Sequence, residues 1–205
     1  MDSHAYSIRI AKPGDEAGIA AVHVQSWQET YRGLIPQSYL DSLSIEKRQK
    51  MWQGVIARNG DTDARGILLV AEDAEGSIVG FASSGTEREP GSGSDSELYA
   101  IYLLKRAQGC GTGRALFERT IQALWARGFR TMRLWVLETN PTRKFYEAFS
   151  GRKGLETKFV DMGGAALREV SYRFDLNRQI DIRELSDDEY QEHFKQWGPI
   201  IFDRN

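Results

Sequence analysis

The chain has 205 residues, enough for one domain with a sizeable core and a short appendage, and a two-domain organisation is not expected. With 40% hydrophobic and 27% charged residues it belongs with soluble globular proteins, which excludes disordered and fibrous classes. Lys+Arg 27 against Asp+Glu 29 gives a net charge of -2, so nothing draws the whole molecule to nucleic acid or to an anionic membrane, and an anionic ligand must be held locally.

Tyr6 to Ile10 reads as a short strand. Pro13, Asp15 and Glu16 open a helix, since proline's fixed φ suits the first turn and acids suit its positive end. That helix runs to about Thr30 with Ala20, Val24, Trp27 and Tyr31 on one stripe, and Gly33 with Pro36 breaks it. A second helix begins near Ser44 and carries Met51, Trp52 and Val55. Ile67 to Ala71 is an unbroken apolar run, expected as a strand covered on both faces, and Glu75-Gly76 turns into its partner, Ile78 to Ser83. Arg88 to Ser96 is a loop inside the domain and leads into a strand, Leu98 to Leu104.

From Gly111 a helix carries Phe117, Ile121, Leu124 and Trp125 on one side and stops at Gly128. Met132 to Leu137 alternates as a strand, and strand, helix, strand in this order predicts a parallel pair with a right-handed crossover. Pro141 to Phe149 is a short helix, and Leu155 to Met162 and Leu167 to Phe174 flank Gly163-Gly164 as a closing hairpin. Hairpins on either side of one crossover predict an α/β (α+β) fold, a mixed sheet flanked by helices, over residues 1–176.

Residues 177–205 are expected to add a helix. Ser186 to Glu189 forms a capping box with Leu185 and Tyr190 as its hydrophobic staple, and Gly198-Pro199 ends the helix. The stripe Tyr190, Phe194, Trp197 needs cover, so this extension is expected to pack on its own domain or on a second subunit, giving a homodimer.

No window reaches the apolar length of a membrane span, and charges interrupt the first thirty residues, unlike a secretory leader; a cytoplasmic protein is expected. Cys110 is the single cysteine, and His4, His23 and His193 show no ligand spacing, so neither an internal disulfide nor a metal is expected.

The most informative stretch is Tyr102 to Arg114. Gly109, Gly111 and Gly113 let the backbone bend and approach a ligand, and the helix start that follows offers unpaired N–H groups. This is an anion cradle suited to a pyrophosphate, with Lys105, Arg106 and Arg114 adding local positive charge. A nucleoside-triphosphate loop needs Gly-Lys-Ser/Thr, whereas Arg114 and Ala115 follow Gly113. A nicotinamide-dinucleotide fingerprint needs G-x-G-x-x-G directly after a strand, whereas the spacing here is G-x-G-x-G after four intervening residues.

Gln108-Gly109-Cys110-Gly111-Thr112-Gly113 resembles the Gln/Arg-x-x-Gly-x-Gly/Ala signature of the GCN5-related N-acetyltransferase (GNAT) superfamily. The element order from about Tyr6 to Asp175, the strand Glu97 to Leu103, the Phe145-Tyr146-Glu147 helix and the terminal hairpin are similar to that family as well. The resemblance implies a splayed sheet, acetyl-CoA as co-substrate and an amine acceptor, small-molecule or peptide. It implies that Gln108 to Arg114 hold the pyrophosphate and that Ile101, Tyr102 and Leu103 border the pantetheine, with either Thr139 or Asn140 at the family's Asn position. It also implies that Tyr146 protonates the departing thiolate, and that Trp27 and Tyr31 fall in the elements walling the acceptor cleft, where core packing is the competing reading.

A lysine-like amine near pKa 10.4 is mostly protonated at neutral pH, and freeing its lone pair costs about 4 to 5 kcal/mol, so a base is needed. Glu97, at the start of the strand that ends at the glycine loop, is the candidate, with Glu138 and His23 as alternatives. Cys110 sits at a spacer position with no histidine near in sequence, which disfavours an acyl-cysteine route. The alternative function is a non-catalytic acyl-CoA-binding sensor that keeps the cradle without turnover.

Overall fold

The computed structural model describes residues 6–59, 65–89 and 91–176. The C-terminal extension, with its expected helix and dimer contact, lies outside the described residues. Within them the chain runs β1 (Ser7–Ile10), α1 (Glu16–Thr30), α2 (Gln37–Asp41), α3 (Ile45–Asn59), β2 (Ile67–Glu72), β3 (Ile78–Thr86), β4 (Ser96–Leu103), α4 (Thr112–Ala126), β5 (Thr131–Leu137), α5 (Arg143–Ala148), β6 (Arg152–Met162) and β7 (Ala165–Asp175). The strands and longer helices fall where the periodicity places them. The addition is α2, five residues with Pro36 at its N-cap and Leu40 buried, too short to show a helical period.

The seven strands form one mixed sheet in the order β1-β2-β3-β4-β5-β7-β6. Only the β4–β5 pairing is parallel, as the β4-α4-β5 crossover requires. Alternate residues of β2 enter two different cores: Ile67, Leu69 and Ala71 one, Leu68 and Val70 the other. That two-sided burial is why the strand reads as an unbroken apolar run. The first core holds Leu116, Phe117, Ile121 and Leu124 of α4 with Phe145 and Tyr146 of α5; the second holds Ile19, Ala20 and Trp27 of α1 and Tyr31 at its C-cap, with Trp52 and Ile56 of α3. Helices therefore cover both faces, and each fully buried large side chain contributes about 1.5–3 kcal/mol.

Two details differ from the periodicity. Trp125, expected with the apolar side of α4, is 41% exposed, because it stands next to Leu124 and so about 100° further round; the Arg130 guanidinium covers its ring at 3.8 Å. β5, expected to alternate, is buried along nearly its whole length. Its one charged residue, Arg133, is taken into the interior by the carboxylates of Glu87 and Glu89.

Candidate active site

The sheet has an opening built into its centre. β4 and β5 pair only at Ser96↔Met132 and Glu97↔Arg133, although β4 continues to Leu103 and β5 to Leu137. A register shift against β3 passes over Tyr99, so Leu98 faces the α4 side while Ala100 and Tyr102 face the α1 side. A bulge increases local twist and bends its strand. Beyond Glu97 the edge of β4 toward β5 has no strand partner, which leaves extended backbone for a ligand to border.

At the far end of β4 the chain turns through Lys105–Ala107 into the glycine loop. Gly109 at φ 73 and Gly111 at φ 84 are left-handed, and Gly111 is the N-cap of α4. A Cβ at either would meet nothing within 4 Å, so the demand for glycine is conformational and the backbone lies bare. The first N–H groups of this 15-residue helix, from Thr112, Gly113 and Arg114, have no acceptor within the helix. Gln108 faces the other way: its Nε2 donates to the Leu103 carbonyl at 3.0 Å and ties the loop to the strand. The exposed Cys110 thiol donates to the Ala107 carbonyl and lies 3.3 Å from the Thr112 hydroxyl. Arg114 pairs with Glu118 at 2.6 Å and Arg106 with Asp73 at 3.3 Å, so those charges are shared with carboxylates. A contact the sequence did not disclose joins this region to α1: the Lys105 N–H donates to the Glu29 carboxylate at 2.9 Å.

Tyr146 is fully buried between Phe117, Phe145 and Tyr172. Burial pushes its phenol well above the usual tyrosine range, and the nearby Tyr31 phenol adds to the shift. Asn140 is also fully buried. Its Oδ1 accepts from the N–H and hydroxyl of Thr142, at 2.9 and 2.7 Å, while its Nδ2 has no hydrogen-bond partner. Thr139, the alternative for that position, is exposed.

The three candidate bases sit in different environments. Glu97 is buried and forked by Arg88, Nη2 to Oε1 at 2.8 Å and Nε to Oε2 at 3.1 Å. Glu138, at the other end of the opening, is partly exposed and faces Arg168 at 3.3 Å. His23 is wholly buried: its Nδ1 accepts from Trp52 Nε1 at 3.1 Å, and its ring stacks on Tyr102 at 5.0 Å. That is the environment of a core histidine.

Ile101 and Leu103 send their side chains into the α4 core and Tyr102 into the α1 core, so only their backbone is available to a ligand. Trp27 and Tyr31 are each 1% exposed and packed together at 4.6 Å, with Trp27 Nε1 lacking a hydrogen-bond partner. Among the described residues no three His, Cys, Asp or Glu gather as a metal site, and no helix is long and apolar enough to cross a membrane.

Residues 24–151 match the Acetyltransferase (GNAT) family. The N-acetyltransferase YuaI of Bacillus subtilis (strain 168) is 41% identical over 164 residues, which span 80% of this chain and 90% of the relative. The PaiA N-acetyltransferase of Thermoplasma acidophilum, solved in complex with coenzyme A, superposes with a TM-score of 0.63 at 20% identity, over 83% of this chain and 99% of that one. YncA of Salmonella typhimurium, solved with its cofactor acetyl-CoA, gives 0.63 at 20% identity over 85% and 96%.

Proposed function

The chain belongs to the acetyltransferase (GNAT) family, and from that premise we propose that it transfers acetyl from acetyl-CoA to a primary amine by direct attack in a ternary complex. The observation that carries this reading is the pair of left-handed glycines at the start of α4, set at the end of a strand whose edge toward β5 is open. The residues present fit such a ligand. Bare N–H groups from Gly109 to Arg114 suit a diphosphate, the β4 edge suits a pantetheine running beside it, and the unpartnered Asn140 Nδ2 offers a donor from the other side of the opening. Bound there, acetyl-CoA supplies an activated acyl group and a thiol leaving group.

The chain's own residues then have three tasks. A backbone N–H of β4 beyond Glu97 stabilises charge that builds on the acyl oxygen. Glu97 takes the proton that the amine nitrogen loses as its bond to the acyl carbon forms. Tyr146 donates its phenolic proton to the sulfur as the carbon–sulfur bond breaks; burial raises its pKa and makes it the weaker acid, so the resemblance to the family, and not its acidity, supports this role.

The test is coenzyme A binding by calorimetry followed by thiol release from acetyl-CoA with a panel of primary amines: simple alkylamines, a diamine, an α-blocked lysine and a peptide with a free N-terminus. Binding together with release that depends on one of these amines is the expected result. Binding without amine-dependent release supports the sensor instead, and absence of binding removes both.

A further inference from the structure

The junction holding β4 to β5 carries crossed charges. Glu97 and Arg133 are register partners in the pairing beside the opening and share a face of the sheet. They are opposite in charge, yet each takes its main counter-ion from the loop after β3. Arg133 donates from Nε and Nη2 to Glu87 at 3.1 and 2.7 Å, and from Nη2 to Glu89 at 2.7 Å. Glu97 receives Arg88, whose guanidinium bridges both carboxylate oxygens while its backbone N–H lies 3.4 Å from Oε2. Three consecutive residues, Glu87, Arg88 and Glu89, are thus threaded through the junction with alternating partners.

The Arg88 head group is held from a second side. It lies 4.5 Å over the ring of Tyr99, the bulged residue of β4, and the Tyr99 hydroxyl is anchored on the Thr86 carbonyl at 2.5 Å. A guanidinium stacked on a ring and forked to a carboxylate has little rotational freedom left. Side-chain exposure is 37% for Arg88 and 2% for Glu97, so the carboxylate is stripped of water and the arginine takes the place of that solvation. Glu87 from the loop, Tyr99 from its own strand and Arg133 from β5 are charged or titratable groups close to it.

We propose that Arg88 is a positioning residue for acetyl transfer: its fork supplies the counter-charge of the Glu97 carboxylate and fixes it in one orientation beside the opening between β4 and β5. This role rests on the reading of Glu97 as the base. It also explains why a buried carboxylate at the start of β4 carries an arginine from a loop otherwise made of glycine, serine, proline and acidic residues.

The test uses the full-length protein and the panel amine that wild type acetylates fastest, with kcat/KM followed from about pH 5.5 to about pH 9 in Arg88→Gln, Arg88→Lys, Glu97→Gln and the double variant Arg88→Gln/Glu97→Gln. Arg88→Gln should lower kcat/KM at neutral pH by about 10- to 100-fold and recover much of the loss at high pH, because its acid limb moves up by about one unit or more. Arg88→Lys, which keeps the charge and loses the fork, should fall between, and it stands in if Arg88→Gln does not fold. The double variant should be no slower than Glu97→Gln alone. An unmoved acid limb, or losses that simply multiply, overturns the positioning role while the base survives. Glu97→Gln at the wild-type rate removes the base reading and the role of Arg88 with it.

Discussion

Tyr146 on α5 and Tyr31 just past α1 pack in cores on opposite faces of the sheet, yet the Tyr31 phenol adds to the upward shift of the Tyr146 pKa. A continuous sheet would keep two such phenols apart. Here β4 and β5 stop pairing after Glu97 and Arg133, and the gap lets groups from the two sides meet. The proposed thiolate acid and the end of the helix expected to wall the acceptor cleft therefore share one electrostatic environment.

Replacing Tyr146 by Phe should remove the proposed acid while leaving the packing nearly intact. We expect kcat to fall by about 10²- to 10⁴-fold with coenzyme A affinity within a few-fold of wild type. Pre-steady-state thiol release and calorimetry measure the two separately. An unchanged kcat would return Tyr146 to a purely structural role.

Gly111→Ala places a Cβ on a left-handed residue in open space. The backbone penalty alone should cost about 1–2 kcal/mol, lowering Tm by roughly 2–8 °C. If the bare amide meets a diphosphate, affinity for coenzyme A should drop by more than that stability loss accounts for, about tenfold or more. A Tm shift with unaltered coenzyme A affinity would place the diphosphate elsewhere.

His23→Ala should act on stability and not on chemistry. It opens a cavity among Trp27, Trp52, Phe81 and Tyr102 and leaves the Trp52 N–H without its acceptor, a loss of about 2–4 kcal/mol. Urea unfolding should register this, while kcat per folded molecule stays within about twofold of wild type. A collapse of kcat at unchanged stability would make His23 the base.

Alkaline pH should destabilise the fold through its buried phenols. Burial raises Tyr146 well above its ordinary value and pushes Tyr99 up to about 12. Below pH 10 the phenols are neutral in both folded and unfolded chains, so the native advantage is whole. Above it the unfolded phenols ionise first, and stability falls by about 1.4 kcal/mol per pH unit for each. Urea midpoints measured from about pH 9 to about pH 11.5 should decline along this slope, and less steeply in Tyr99→Phe. A flat profile would contradict the burial of these hydroxyls.

Much of the fold was legible because the signals were local. The 3.6-residue stripe through Ala20, Val24, Trp27 and Tyr31, the apolar run Ile67 to Ala71 and the glycines at 109 and 111 each need only their neighbours to be read. The α2 helix escaped because five residues hold barely one turn, and the Tyr99 bulge because a slipped register is a relation between two strands.

The sequence by itself determined the element order, the mixed sheet and the family to which the glycine loop and the tyrosine helix point. Only the tertiary structure decided which charges meet. Arg88 reaches a carboxylate nine residues away and Arg133 one that is 46 away, and the Tyr31 phenol adds to the shift of a phenol carried by another core. Helical and strand periods are set by bonds between near neighbours, so they are written along the chain. Ion pairs depend on which strand edges come together and where they part, and that is settled only when the whole sheet has formed.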